Sequence, residues 1–106
     1  MVSLLELDKL IKEAEKWAIG LRRDFHRWPE LGNAEYRTAE RIQSELERFG
    51  IENRRMLATG VVGDIITNPG KKTVALRADM DALPIQETAA VPYASERKGI
   101  MHACGH

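Results

Sequence analysis

Apolar residues in the N-terminal segment recur at steps of three and four. Leu7, Leu10, Ile11, Ala14, Trp17, Ala18, Leu21, Phe25 and Trp28 draw one stripe, the spacing of a single helix face. Glu13, Glu15, Lys16, Arg22 and Arg23 occupy much of the remaining surface. Ser3 and Glu6 have the S-x-x-E spacing of a capping box, which starts the helix near Leu4. Pro29 stops it, because proline disfavours a helical conformation in the residue before it and has no N–H for the ladder. A second amphipathic helix follows Gly32. Tyr36, Ala39, Ile42, Leu46 and Phe49 form its buried face, and Arg37, Glu40, Arg41, Glu45, Glu47 and Arg48 a solvated one. Asn33 is the expected N-cap, Glu35 brings negative charge to the first turn, and Gly50 is the expected residue just past the end.

From Ile51 the period changes. Val61 to Thr67 and Thr73 to Ala78 are rich in β-branched and apolar residues, as strands prefer. Asn68-Pro69-Gly70-Lys71 lies between them with proline and glycine at the positions a type II turn favours. The pattern therefore predicts a hairpin of these two strands. A weaker strand runs from Ile51 to Leu57, with Ala58-Thr59-Gly60 as the turn out of it, and Pro92 to Gly99 reads as loop. Two helices followed by strands predict an α/β layer.

Composition narrows the class without naming a chemistry. A chain of 106 residues, 43% hydrophobic and 30% charged, is globular and one domain at most. Sixteen Lys and Arg balance sixteen Asp and Glu, so no net positive charge points to nucleic acid. No stretch approaches the roughly 20 apolar residues that span a bilayer. The start, Met1-Val2-Ser3-Leu4-Leu5-Glu6, lacks the basic and apolar regions of a secretory signal. The single cysteine, Cys104, cannot form an internal disulfide, which fits a reducing compartment. The expectation is a cytoplasmic protein with neither nucleic-acid nor membrane partners.

Chemistry-bearing residues gather near the end of the chain. His102, Cys104 and His106 alternate with small residues, and a thiolate and an imidazole two residues apart can face one point from an extended segment. Sulfur and imidazole nitrogen are donors that zinc prefers, and they suit manganese, cobalt or nickel less selectively. The competing reading is a buried cysteine beside two surface histidines. No second Cys-x-x-Cys or His-x-x-x-His half accompanies them, which argues against a zinc finger. Asp79 and Asp81 end an apolar run, where α/β enzymes often place ligands and bases, although a strand end entering a turn has the same pattern. Ala82-Leu83-Pro84 after them is not how the Asp-x-Asp of a haloacid-dehalogenase phosphatase continues. His26, alone on the first helix, reads as a packed or capping residue.

Three runs carry a family resemblance. Arg22-Arg23-Asp24-Phe25-His26-Arg27-Trp28-Pro29-Glu30-Leu31 with Glu35, then Leu76-Arg77-Ala78-Asp79-Met80-Asp81-Ala82-Leu83-Pro84, and then Pro92-Tyr93-Ala94-Ser95 with Gly99-Ile100-Met101-His102-Ala103-Cys104-Gly105-His106 resemble, in order, the signatures of the N-acyl-L-amino-acid amidohydrolases. That family of dinuclear metallopeptidases includes aminoacylases, hippurate hydrolases and hydrolases of indoleacetyl-amino acids. The resemblance implies an α/β fold, the N-terminal part of a zinc-exopeptidase-like catalytic domain, spanning residues 1–106. It implies a divalent metal, two per full-length subunit, with Cys104 and His106 as ligands and Asp81 orienting the site from behind. Asp79 stands where the wider superfamily has a ligand histidine, and His102 is a further candidate. The implied reaction is hydrolysis of the amide bond of an N-acyl amino acid or related peptide by metal-activated water. The family's glutamate base, remaining ligands and dimerisation domain lie outside these residues, and the full-length protein is expected to be a homo-oligomer. The rival expectation is a non-catalytic fragment serving as a folding or interaction module.

Overall fold

The computed structural model describes every residue of the chain except Pro69. Helix α1 runs Leu4–Arg27, α2 Tyr36–Arg48, and strands β1, Glu52–Met56, and β2, Gly60–Asp64, pair antiparallel. The capping box forms as the spacing predicts. The Glu6 N–H donates to Ser3 Oγ at 3.2 Å, and the Ser3 N–H donates to the Glu6 carboxylate at 2.8 Å. The helix ends at Arg27, two residues before Pro29, with the Trp28 N–H still bonded to the Asp24 carbonyl.

The start of α2 differs from the expectation. Asn33 is not the N-cap: it sits at φ 66 inside a turn, and Glu35 holds the N-cap position without a side-chain cap bond. The capping acceptor comes instead from Glu30. Its carboxylate accepts the Arg37 N–H at 3.1 Å and both the N–H and the hydroxyl of Thr38 at 2.6 and 2.7 Å. A negative charge at a helix N-terminus satisfies orphan donors and meets the positive end of the dipole, and Glu30 does so from five residues before Glu35. At the other end Gly50 behaves as predicted. With φ 69 it lets its own N–H reach the Glu47 carbonyl and the Ile51 N–H reach the Leu46 carbonyl, both at 2.9 Å, the two bonds of a Schellman motif.

The hairpin is displaced along the sequence. Val61 to Thr67 does not pair with Thr73 to Ala78. The weaker candidate strand from Ile51 is the partner, in the register Glu52↔Asp64 to Met56↔Gly60, and Thr73 to Ala78 forms no strand. The turn is Leu57–Thr59, with Leu57 and Ala58 both in the left-handed region at φ 52 and 67. The type II turn expected at Asn68–Lys71 falls on Pro69, outside the described residues. β1 and β2 pack on α2, whose Leu46 reaches Gly63. Ala39 is the fully buried centre of the α2 face, whereas Tyr36 and Phe49 at its two ends stay more than half exposed. α1 meets α2 through Trp17, which stacks edge-on to Phe49 at 5.3 Å and donates from its indole to Glu45, and through the Asp24–Arg37 ion pair.

Candidate metal centre

Beyond β2 the chain is mostly irregular and is tied to the helices at a few backbone points. The Ala82 N–H donates to the Glu30 carbonyl at 2.8 Å, and Leu31 and Ala82 form a parallel bridge. Leu83 and Met101 exchange two backbone bonds as an antiparallel bridge. These two bridges bring Asp81 and the His102–His106 run to one place, because each lies immediately beside a bridged residue. Asp79, Asp81, His102, Cys104 and His106, with His26 of α1, line one cavity of about 760 Å³.

Cys104 Sγ lies 3.2 Å from His106 Nδ1, and both side chains are exposed at the end of the chain. Within these residues Cys104 is not buried, and its sulfur and the imidazole nitrogen lie side by side. His102 points inward, and its Nε2 is buried with no hydrogen-bond partner among the described residues. Burial, reinforced by the neighbouring His26, holds the His102 pKa below the usual histidine value, against the opposing pull of the Asp81 charge and backbone. The rings of His26 and His102 are 6.4 Å apart. The Asp81 carboxylate faces Gly32, where even a Cβ would approach it only to 3.8 Å. Asp79 is more than half exposed and paired with Arg77 at 2.9 Å.

Two residues outside the sequence-derived set support this region. Glu87, its side chain only 4% exposed, accepts from His26 Nε2 at 2.7 Å and from the Ser95 N–H. The Ser95 bond and then His26 hold its pKa below the carboxylate norm, against burial. Glu30 is held low as well: burial opposes ionisation, but the Thr38 and Arg37 hydrogen bonds and the Arg97 charge outweigh it. Glu30 lies in the first of the three runs without showing its role there, and Glu87 lies in none of them, because a lone Glu is normally a solvated residue. Among the described residues no group of three or more His, Cys, Asp and Glu closes around a single point. Cys104 and His106 thus form a pair of donors, not a complete ligand set.

Fold and sequence together point to one class: residues 75–106 match the model of peptidase family M20/M25/M40. It is 51% identical over 98 residues to thermostable carboxypeptidase 2 of Saccharolobus solfataricus, covering 91% of this chain and 25% of that protein. It is 50% identical over 93 residues to the N-acetyl-L-cysteine deacetylase of Bacillus subtilis, covering 87% of this chain and 22% of that protein. A crystal structure of a Bacillus subtilis dinuclear metal-binding M20 peptidase superposes with a TM-score of 0.83 at 43% identity, covering 89% of this chain and 27% of that one. The chain therefore spans about a quarter of the length of the relatives it matches. Among the described residues no helix is long and apolar enough to cross a membrane.

Proposed function

We propose that residues 1–106 are the N-terminal part of the catalytic domain of a metal-dependent amidohydrolase acting on N-acyl amino acids or related peptides. The observation that carries this reading is the Cys104–His106 contact at 3.2 Å on a shared cavity, inside the residues that match the family model. The donor set fits a metal in kind. A thiolate and a neutral imidazole suit zinc first, with manganese, cobalt or nickel accepted less selectively, and the dinuclear metal binding of the Bacillus subtilis peptidase supports two ions per subunit.

Cys104 and His106 would hold metal, and Asp81, next to the Leu31–Ala82 bridge and lining the same cavity, would orient the site. His102 and Asp79 stand one step further out: His102 presents a buried, unpartnered nitrogen to the cavity, and Asp79 would first have to leave Arg77. When bound, the metal supplies Lewis acidity and lowers the pKa of water. The chain's own part is to bring a thiolate and an imidazole to one point on a cavity wall. The general base, a glutamate, would come from outside residues 1–106. The substrate would be a small N-acyl amino acid or peptide, the intact protein a homo-oligomer and its compartment the cytoplasm.

The test is Cys104→Ala alongside Cys104→Ser in the intact protein, with bound metal measured by elemental analysis after dialysis. Both variants should lose metal and activity while melting within a few degrees of the parent, because the sulfur is exposed and packs no core. Full metal occupancy with parental turnover in Cys104→Ala would sink the ligand assignment. The incomplete donor set favours one companion reading, that these 106 residues assayed alone act only as a folding or interaction module. No amidase turnover is expected from them, since general acid–base help worth about 10²–10⁴-fold is missing. Metal-dependent turnover by the purified 106-residue chain would overturn this.

A further inference from the structure

The segment that ends in Cys104 and His106 has no regular secondary structure of its own. Some other feature must fix its path. Several of its hydrogen bonds lead back to one carboxylate. The Ser95 hydroxyl accepts from the Arg97 N–H at 3.1 Å and donates to the Ile100 carbonyl at 2.7 Å, with the Arg97 carbonyl close by at 3.0 Å. This closes the loop immediately before Met101, and Met101 is in turn bridged to Leu83. The Ser95 N–H itself donates to Glu87, whose other oxygen takes His26 Nε2 from the last turn of α1. Arg27 reinforces the attachment, its guanidinium donating to the Pro92 carbonyl and its own carbonyl accepting the Glu96 N–H, both at 2.8 Å.

We infer that Glu87 is a positioning residue for the candidate metal centre: by holding His26 and the Ser95 backbone together it sets the path of the segment that carries Cys104 and His106. It is not a catalytic residue. Its side chain is only 4% exposed, both oxygens are engaged, and it does not line the cavity. His26 gains a role by the same argument, as the rigid helical point from which the loop is hung. Groups that orient metal ligands from behind are typically worth about 10–100-fold in metal affinity. Glu87 acts through backbone and one hydroxyl, so the lower end of that range applies.

This inference rests on the metal reading above, and the experiment separates the two. The intact apo-protein is titrated with Co²⁺ alone, the thiolate-to-cobalt charge-transfer band reporting on Cys104, and each apo-variant is melted in parallel. Glu87→Ala should weaken cobalt binding by about tenfold and diminish the band. Glu87→Gln should restore both to near the parent, because an amide can still accept from Ser95 and donate to the other tautomer of His26. A residue that merely stabilised the fold would lower the melting temperature of Glu87→Ala while leaving the folded protein's cobalt affinity and band unchanged, and that result overturns the inference. If Glu87→Ala does not fold, Glu87→Asp decides, because a carboxylate one methylene shorter cannot span both His26 Nε2 and the Ser95 N–H. Weakened cobalt binding in folded Glu87→Asp supports the inference, and parental binding overturns it. A parent protein that takes up no cobalt at Cys104 overturns the metal reading and this inference with it.

Discussion

Glu30 and Glu87 show how a single residue acquires a role from its neighbours. Each is a carboxylate drawn out of water and compensated by N–H and O–H donors from segments distant in sequence. Both have folded-state pKa values below the usual 4.5. A carboxylate whose pKa is depressed by folding favours the folded chain above its unfolded pKa, and that contribution fades as the pH falls through the folded value. Urea midpoints should therefore hold steady near neutrality and drop below about pH 4.5. Glu30→Gln should make that acid limb shallower. It should also cost about 1–3 kcal/mol at neutral pH, since the amide can keep Thr38 but turns an N–H toward the part-buried N–H of Arg37. An unchanged acid limb in Glu30→Gln would show that other carboxylates set it.

At the scale of elements, the hairpin shows tertiary context overriding strand propensity. Thr73 to Ala78 is the better strand by composition, yet Glu52–Met56, the sequence ENRRM, is the segment that pairs with β2. Arg54 meets Asp64 across the ladder at 2.7 Å, and Arg55 and Asn53 join Gln43 of α2. Polar bonds to the adjacent helix hold a strand that its apolar content would not. The turn is tight as well. A Cβ on Gly60 would lie 2.6 Å from the Met56 carbonyl oxygen, well inside van der Waals contact with backbone that cannot move without breaking the ladder. Gly60→Ala should destabilise the chain by roughly 1–3 kcal/mol, the usual scale of overpacking, read as a lower urea midpoint and lost amide protection from Arg54 to Val62. Parental stability in that variant would mean that the turn relaxes freely.

For the whole molecule the dominant fact is open apolar surface. The radius of gyration is 16.2 Å, whereas a compact domain of this length has about 13 Å. Leu4, Leu5, Ile65, Ile66, Val74 and Leu76 are all more than 70% exposed, and no residue of α1 is fully buried. Apolar exposure of this extent marks a contact surface or an aggregation liability. The 106-residue chain studied alone should self-associate in a concentration-dependent manner by sedimentation velocity and bind a hydrophobic dye. A monomer with a sharp cooperative melt at high concentration would contradict this.

Local rules written into the sequence were enough for α1 with its capping box, for the Gly50 stop of α2, for the loop from Pro92 to Gly99 and for the chemical character of Cys104 and His106. Each depends on residues within a few positions of one another, so spacing alone carries the information. The resemblance of three short runs added the family, which the comparisons bear out. The Glu30 cap, the β1–β2 pairing and the Glu87 anchor were decided by tertiary structure. They join residues such as His26 and Glu87, 61 positions apart in the chain, and a buried carboxylate cannot be told from a solvated one until the donors that surround it are in place. The same reason makes the convergence of Asp81 with His102–His106 a product of the Leu31–Ala82 and Leu83–Met101 bridges: backbone hydrogen bonds between extended segments leave no imprint on side-chain periodicity.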